Sequence, residues 1–339
     1  MTTIQPAAVF DPARHLCYEP PASRVTMEEL GLKDVGISPY AVTAPFPLFN
    51  LEGVTELRRN ILSDEVIDKF TVSSYISAFQ GREFTKNVAP FVHAAWTSPE
   101  VIRAVSEAAG IDLVPVMELE LGHVNYQLGE GGKAGVKLSP IAPGGGLTAP
   151  SVTVSDLAHY QALADAEDGS GPDNVVVWHH DAYPFVCVLM LSDVSNMIGG
   201  ETALQCGDGS IRKARGPGVG NCVVMQGRHV KHAALRAYNS GERITMVTSF
   251  RARDPLVHDG SITKRNRINY QWTVYRMKLL AERFTAMANQ LEAQKAAVGG
   301  DADDEDGKGG SEIINVPVCQ KWLEEQIAYL TMTGSQLMP

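Results

Sequence analysis

The pattern of apolar and polar positions predicts an N-terminal helical support region over residues 1–114. Apolar residues recur there mostly at the spacing of an amphipathic helix. Ser63 and Ser98 precede two such stretches and are suitable N-caps, whereas Pro99 fits a first helical position and Gly110 a helix end. We therefore expect this region to pack against a core that is formed later in the chain.

From residue 115 to 255 the pattern changes to short strand-like runs separated by Gly, Asp and Asn turns. Such runs are typical of an all-β sandwich or barrel. Residues 136–174 interrupt them with loop-forming stretches around a short helix, which we interpret as a surface insertion and a candidate lid. The prediction is a mainly β core with α flanks. The runs that carry it are VVVWHHD, FVCVLML, ETALQCG, GNCVVMQG and RITMVTSF.

Residues 256–339 return to helix. A long amphipathic stretch covers residues 272–297, and a last helix closes the chain. Between them, residues 299–311 form an acidic, glycine-flanked segment that is too charged to pack, so we predict a disordered linker. We predict a single domain overall, and the sequence leaves the oligomeric state open.

Composition and charge narrow the class of protein. The chain has 339 residues, of which 44% are hydrophobic and 20% charged, as in ordinary globular proteins. The net charge is −10 and no Lys/Arg cluster occurs, which argues against a nucleic-acid partner. No apolar run approaches the roughly 18–20 residues of a membrane span. The N-terminus lacks a signal-peptide pattern, and the five cysteines include no CxxC pair. We therefore expect a soluble, cytoplasmic protein with no membrane partner.

One apolar run ends in three polar residues, His179, His180 and Asp181. Alternate side chains of a strand share a face, so we predict that His179 and Asp181 lie together and that His180 faces the other way. An imidazole beside a carboxylate is half of a site for a divalent metal. The third ligand is His229 or His232, and a regular strand brings only one of them inward.

Two histidines and one carboxylate form the facial triad of non-haem Fe(II) oxygenases, and the same set also suits catalytic zinc. Arg243 and Thr245 favour the Fe(II) oxygenase over the zinc enzyme. They share one face of an apolar strand that begins eleven residues after His232. An Arg fork there can hold the distal carboxylate of a 2-oxoglutarate co-substrate, which a zinc hydrolase does not need. Arg236 and Arg251, the latter expected past the strand, are less favoured cations.

The order HxD, a gap of fifty residues, His232 and then RxT resembles the Fe(II)/2-oxoglutarate-dependent dioxygenases. The stretch HHDAYPFVCVLMLSDVSNMIGGETAL is similar to the prolyl-4-hydroxylase-like branch, and more narrowly to its fungal members, many of which serve small-molecule metabolism. The resemblance covers about residues 115–255. It implies a double-stranded β-helix (jelly-roll) core, and it assigns the third ligand to His232 instead of His229.

The resemblance also implies an activity. Fe(II) would be held by His179, Asp181 and His232, and 2-oxoglutarate by Arg243 helped by Thr245. O2 and 2-oxoglutarate would yield succinate and CO2 while a C–H bond of a small molecule, such as an amino acid or a secondary-metabolite intermediate, is hydroxylated, desaturated or cyclised. Relatives that halogenate lack the carboxylate, so the presence of Asp181 argues against halogenation.

Asn125 and Tyr126 are further candidates for the co-substrate or substrate pocket. His123, Asn125 and Gln127 alternate onto one strand face, with Tyr126 on the other, and either candidate can equally be a structural residue. Three other functions stay open at this point. They are a zinc-dependent hydrolase on a similar barrel, a protein-directed prolyl-type hydroxylase, and a non-catalytic binding or sensor protein that kept the barrel.

Overall fold

The computed structural model groups the chain into two compact units, Met1–Ala252 and Arg253–Pro339. The described residues are 8–73, 79–128, 134, 138–140, 154–169, 176–214, 216, 218–239, 242–263, 269–297 and 315–337. Within these residues, no helix combines the length and the apolarity that crossing a bilayer requires. The sequence-based boundaries at residues 114 and 255, and the single domain, stay predictions.

Two helices of the N-terminal region begin at the predicted residues, and one of them also ends at the predicted glycine. Ser63 Oγ accepts a hydrogen bond from the Val66 N–H, and Ser98 Oγ accepts one from the Val101 N–H, each at 3.3 Å. Gly110 ends the second helix in the left-handed conformation, with a φ of 69°. The helices of the first unit are α1 (Pro12–His15), α2 (Leu51–Ile61), α3 (Asp64–Lys69), α4 (Pro90–Thr97), α5 (Pro99–Ala109) and α6 (Val154–Ala166), with a 3-10 turn at Glu118–Glu120.

The strands of the first unit form a large antiparallel sheet, a smaller one and a separate pair. They are β1 (Arg24–Thr26), β2 (Tyr40–Thr43), β3 (Phe46–Pro47), β4 (Thr71–Val72), β5 (Gln80–Gly81), β6 (Leu113–Pro115), β7 (His123–Leu128), β8 (Val176–His179), β9 (Phe185–Met190), β10 (Ile198–Gly199), β11 (Thr202–Gln205), β12 (Ile211–Ala214), β13 (Asn221–Met225), β14 (His232–Ala234), β15 (Ala237–Tyr238) and β16 (Glu242–Ala252). The large sheet has the order β1-β2-β13-β9-β16-β7-β5-β4, with β3 beside β13 and β6 beside β16. The small sheet has the order β12-β11-β14-β8, and β10 pairs with β15. The mainly β core with α flanks is thereby confirmed.

The prediction of a mostly helical N-terminal region was wrong in one respect. This region also supplies the strands β1 to β5, which lie at or near both edges of the large sheet. These strands have only two to four residues each. A run that short shows no measurable alternation, so the helical pattern around it dominates the sequence signal.

The two faces of the large sheet pack against different partners. On one face, Ile244 and Met246 of β16 belong to an apolar cluster with Trp96 and Phe91 of α4. On the other face, Val247 belongs to a second cluster that includes Leu204 of the small sheet. Residues 243, 245, 247 and 249 therefore face the small sheet, because alternate strand residues share a face.

The predicted insertion at residues 136–174 lies only partly within the described residues. Its short helix is present as α6. The ring of Tyr160 on this helix stacks on Tyr238 of β15 with centroids 5.6 Å apart, and the hydroxyl of Tyr238 donates to Glu167 Oε1 at 3.1 Å. Lys213 Nζ donates to the carbonyl of Ala164 near the helix end at 2.8 Å. The lid remains a prediction.

The second unit contains two helices, α7 (Asn269–Ala297) and α8 (Val316–Gln336). Both predicted C-terminal helices are therefore confirmed. Within this unit, Arg276 is fully buried and its Nη1 donates to Asp259 Oδ2 at 3.0 Å. The predicted linker at residues 299–311 lies outside the described residues.

Candidate metal centre

His179, Asp181 and His232 come together in the first unit. His179 and His232 are directly paired residues of the neighbouring strands β8 and β14. Asp181 Oδ1 lies 3.3 Å from His179 Nε2, and Asp181 Oδ2 lies 3.5 Å from His232 Nε2. One ligand atom from each residue lies within 4.8 Å of the others. Among the described residues, this is the group whose donor atoms converge closely enough to hold a metal ion.

Strand alternation does not explain how Asp181 reaches this cluster. β8 ends at His179, so Asp181 lies beyond the strand. The backbone N–H of Asp181 donates to the carbonyl of Gly227 at 2.8 Å, which holds the carboxylate in place across the neighbouring turn. The predicted neighbours are therefore correct, whereas the predicted reason for their proximity was wrong.

Backbone carbonyls fix the orientation of both imidazole rings. His179 Nδ1 lies 2.8 Å from the carbonyl of Val177, and His232 Nδ1 lies 2.9 Å from the carbonyl of Val230. A carbonyl only accepts, so Nδ1 must donate, and in the neutral ring the lone pair is then on Nε2. Burial lowers the pKa of His232 to about 4, although the charge of Asp181 acts in the opposite direction.

At neutral pH, hydrogen-bond acceptor atoms therefore face one another in this cluster. The Nε2 lone pair of His232 faces a carboxylate oxygen, and the arrangement at His179 is the same whenever its ring is neutral. Such atoms repel each other unless a shared cation lies between them. Two imidazole nitrogens and one carboxylate also match the donor set of a divalent transition metal. The residues present therefore fit a metal ion.

His229 is not a member of this cluster. It lies in the turn between β13 and β14, where its backbone N–H donates to the carbonyl of Gln226 at 2.9 Å. His180 follows the end of β8 and is also outside the group of convergent donors.

Gly227 is a positioning residue that the sequence pattern did not predict. A Cβ atom at this position would lie 1.7 Å from Asp181 Oδ2 and 2.7 Å from Asp181 Cγ. Any side chain here would displace the carboxylate. Its sequence signal is a glycine between an apolar strand and the candidate ligand His232, but many turns share that pattern.

A buried arginine lies on the side of the large sheet that faces the small sheet. Arg243 is 5% exposed, and burial lowers its pKa to about 10, so it remains cationic at neutral pH. Its Nε is buried without a hydrogen bond, and no carboxylate of the described residues forms an ion pair with it. Thr245 follows on the same face, and Gln127, directly opposite Arg243 on β7, has a buried Oε1 without a hydrogen-bond partner. This end of β16 therefore has the features of a binding site for an anion.

The geometry also relates this face to the metal-ligand cluster. Val247, on the same face as Arg243, belongs to the apolar cluster that contains Leu204. Leu204 is paired with His232 across β11 and β14. Paired residues of neighbouring strands point to the same side. His232 and Arg243 therefore both face the space between the two sheets.

The two other predicted pocket residues have different positions. Asn125 is paired with Thr245, and its Oδ1 accepts from Gln80 Nε2 at 2.9 Å. Tyr126 lies on the opposite face, where its hydroxyl donates to the carbonyl of Ile61 at 2.8 Å. The structure therefore separates Tyr126 from the face of Arg243, as strand alternation requires, and we do not include it in the site.

The alternative cations are placed elsewhere. Arg236 lies over the ring of Tyr238, 5.1 Å from its centroid. Arg251 was expected past the strand, but β16 extends to Ala252, so Arg251 lies within it. The expectation failed because the apolar run ends at Phe250, whereas the backbone pairing with β6 continues to Ala252.

Comparisons with known proteins give only distant structural likenesses. No protein-family model matches the sequence, and no curated protein matches it. A 2OG-Fe(II) oxygenase family protein from Burkholderia pseudomallei is similar at 15% identity and a TM-score of 0.32, over 57% of this chain and 77% of that one. A prolyl-4-hydroxylase from Pseudomonas putida is similar at 14% identity and a TM-score of 0.34, over 66% and 97% of the two chains. A non-heme alpha ketoglutarate dependent epimerase from nogalamycin biosynthesis is similar at 13% identity and a TM-score of 0.32, over 59% and 72%.

These similar structures include proteins of the family that the sequence motif resembles. All three TM-scores lie below 0.5, and the function proposed below is inferred from the residues of this chain. The narrower resemblance to fungal small-molecule enzymes and the double-stranded β-helix both stay predictions.

Proposed function

We propose that this protein is an Fe(II)- and 2-oxoglutarate-dependent oxygenase that oxidises a C–H bond of a small molecule. One observation carries the proposal. Two imidazoles and a carboxylate converge with their acceptor atoms towards each other, and they face the same space between the sheets as a buried arginine that has no ion-pair partner among the described residues. The first feature needs a cation and the second needs an anion.

The metal would be held by His179, Asp181 and His232. A neutral imidazole is required for ligation, and His232 meets this condition at neutral pH because its pKa is lowered by burial. The backbone carbonyls that hold both Nδ1 atoms keep the rings in ligating orientation. Two histidines and one carboxylate leave coordination positions open for a chelating co-substrate and for O2.

The co-substrate's distal carboxylate would be held by Arg243, helped by Thr245 and with Asn125 nearby. A buried cation without a counter-charge is costly, and a carboxylate ligand removes that cost. The planar guanidinium can pair with both carboxylate oxygens at once. When bound, Fe(II) with 2-oxoglutarate supplies O2-dependent oxidation coupled to release of succinate and CO2. The protein's own residues would orient the two ligands.

The remaining parts of the proposal come from the sequence resemblance. We propose a double-stranded β-helix core and a substrate that is a small molecule, such as an amino acid or a secondary-metabolite intermediate, in a fungal pathway. Hydroxylation, desaturation and oxidative cyclisation are all compatible with the same site. We also propose a cytoplasmic protein without nucleic-acid or membrane partners.

A zinc-dependent hydrolase is the second candidate, because the same three ligands suit catalytic zinc. Arg243 favours the oxygenase, since hydrolysis at zinc does not require a buried carboxylate clamp. A protein-directed prolyl-type hydroxylase uses the same co-substrate, so it differs only in the substrate.

Anaerobic addition of Fe(II) and then 2-oxoglutarate to the metal-free protein tests this proposal. We expect a weak visible charge-transfer band from the chelate. His232→Ala should abolish the band, whereas the matched variant His229→Ala should retain it, and Arg243→Ala should require more 2-oxoglutarate. Absence of a band in the wild-type protein at every 2-oxoglutarate concentration would overturn the oxygenase function, and bound zinc would then favour the hydrolase.

A further inference from the structure

The strand face that carries Arg243 continues to a second charged site near its other end. Ser249 lies on this face six positions after Arg243, about 20 Å along an extended strand. Between them, Val247 is paired with His123 of β7. The 3-10 turn just before β7 ends at Glu120. Glu120, His123 and Ser249 therefore lie at the same end of the two strands.

Glu120 is a buried carboxylate with poor compensation. It is 5% exposed. The hydroxyl of Ser249 donates to its Oε2 at 3.5 Å, and Arg82 Nη1 lies 3.9 Å from its Oε1. Both distances are longer than those of a good hydrogen bond or close ion pair. Burial raises the pKa of this carboxyl group, which agrees with an incomplete set of partners.

Arg82 is equally incompletely paired. Its Nε donates to Gln80 Oε1 at 3.4 Å, and its side chain keeps 26% of its surface exposed. Among the described residues, Arg82 forms an ion pair with Glu120 alone, at the long distance given above. The guanidinium therefore has N–H groups left for an anion that enters from solvent.

These two charges lie close to the candidate metal centre. Glu120 and His123 are each near enough to Asp181 for their charges to interact, and His123 also interacts with Arg82 and His179. The Nδ1 atom of His123 is buried and has no hydrogen-bond partner among the described residues. His123 therefore interacts both with Arg82 and with the candidate metal ligands, and its Nδ1 is left for a ligand.

We propose that Arg82 and Glu120 bind the charged end of the substrate, and that this substrate carries an ammonium group beside a carboxylate, as a free α-amino acid does. The ammonium would pair with Glu120 and the carboxylate with Arg82, while His123 would accept or donate a hydrogen bond. A ligand with one charge would leave the other protein charge poorly compensated. In an α-amino acid, the ammonium and carboxylate groups are bonded to the same carbon atom. Such neighbouring charges can each reach one of two protein charges whose nearest atoms are 3.9 Å apart. The reaction at this substrate rests on the proposed oxygenase function, whereas the binding does not.

Calorimetric titration of the full-length protein with individual free L-amino acids tests the inference, both without metal and anaerobically with Fe(II) and 2-oxoglutarate. We expect at least one amino acid to bind the wild-type protein. Its N-acetyl and its amide derivatives should each bind more than about tenfold more weakly, because each leaves either Glu120 or Arg82 without its ligand partner. These derivatives test the charges without altering the protein's fold.

Glu120→Gln should weaken amino-acid binding by a similar factor and should reduce the preference for the free amine over its N-acetyl form. The matched control is Glu118→Gln, in the same turn, whose carboxylate is half exposed and contacts His93 at the surface. This control should bind like the wild-type protein. If no amino acid binds, or if the N-acetyl forms bind equally well, the inference is overturned.

The visible band in the same samples separates the two proposals. A band without amino-acid binding overturns this inference and leaves the oxygenase function. Amino-acid binding without a band supports the zwitterion site and overturns the oxygenase function.

Discussion

The carboxylate of Asp181 occupies the space that a side chain at Gly227 would fill. The two residues are also joined by a backbone hydrogen bond of 2.8 Å from the Asp181 N–H to the Gly227 carbonyl. A Cβ atom at Gly227 would lie 1.7 Å from Asp181 Oδ2. The position of one proposed metal ligand therefore depends on the absence of a side chain elsewhere in the chain.

We expect Gly227→Ala to weaken Fe(II) binding strongly, because the new methyl group must displace the carboxylate. Loss of an oriented ligand contact of this kind typically costs about 10–100-fold in metal affinity. The matched control is Gly218→Ala, whose Cβ would meet its nearest atom at 3.9 Å and should leave affinity unchanged. Fe(II) titration of both variants makes the comparison. Unchanged affinity in Gly227→Ala would show that Asp181 is not a ligand.

Arg243→Met should affect stability and ligand binding in opposite directions. The wild-type guanidinium is buried without an ion-pair partner among the described residues. A methionine of similar length removes this desolvation cost, so we expect the free energy of unfolding to rise by about 1 kcal/mol or more. Affinity for 2-oxoglutarate should fall. Urea unfolding and 2-oxoglutarate titration measure the two effects.

Arg212→Met, at an exposed position of β12, is the control for this variant and should change neither quantity appreciably. A lower unfolding free energy for Arg243→Met would mean that the arginine already has a stabilising partner in the free protein.

Glu120 should make stability depend on pH in the direction opposite to a salt-bridged carboxylate. Burial raises its pKa in the folded protein above the ordinary value of 4.5. The carboxyl group of Glu120 therefore loses its proton at lower pH in the unfolded chain than in the folded protein. Its contribution to the free energy of unfolding is fully present below pH 4.5 and is lost as the pH rises through the folded-state pKa. We expect Glu120→Gln to be more stable than the wild-type protein at neutral pH, with the difference vanishing in acid. Unfolding curves at both pH values measure this, and a variant that is less stable at neutral pH would contradict it.

The cysteines should differ sharply in reactivity. Cys187 and Cys222 are fully buried in the apolar cluster between the large sheet and the helices, and burial raises the pKa of Cys222 well above the ordinary value. Cys17 is exposed. We therefore expect an alkylating reagent to modify Cys17 in the native protein and to reach Cys187 and Cys222 only after unfolding, because the thiolate is the reactive form. Mass spectrometry with and without denaturant locates the modified residues. Rapid native labelling of Cys222 would contradict the packing of β13.

The sequence could predict the members of the candidate metal-binding cluster because their signal is local. His179 and Asp181 follow an apolar run, and His232 lies between two others, so polar groups stand out against a buried background. Arg243 was found by the same contrast. The strand geometry that should have joined His179 to Asp181 was not predictable, since β8 ends at His179, two residues before Asp181.

Other parts of the site depend on contacts that no local pattern encodes. Gly227 matters because of Asp181, forty-six positions earlier. Arg82 and Glu120 belong to segments that look like ordinary surface sequence, and only the folded sheet brings them near Asp181. Asn125 and Tyr126 were alternatives on opposite strand faces, and the sequence pattern alone did not show which of these faces points towards the small sheet.

The placement of the first strands at both edges of the large sheet has a consequence for biosynthesis. β2 can pair with β13 only after β13 has been synthesised. The hydrogen bond from the Val224 N–H to Thr43 Oγ1 joins residues 181 positions apart. Such long-range pairing forms slowly, and strand edges that wait for partners are prone to aggregate. The nascent chain therefore leaves the ribosome with its earliest strands unprotected. We expect the yield of soluble protein in a cell to depend more on chaperones that hold this segment than on the supply of metal.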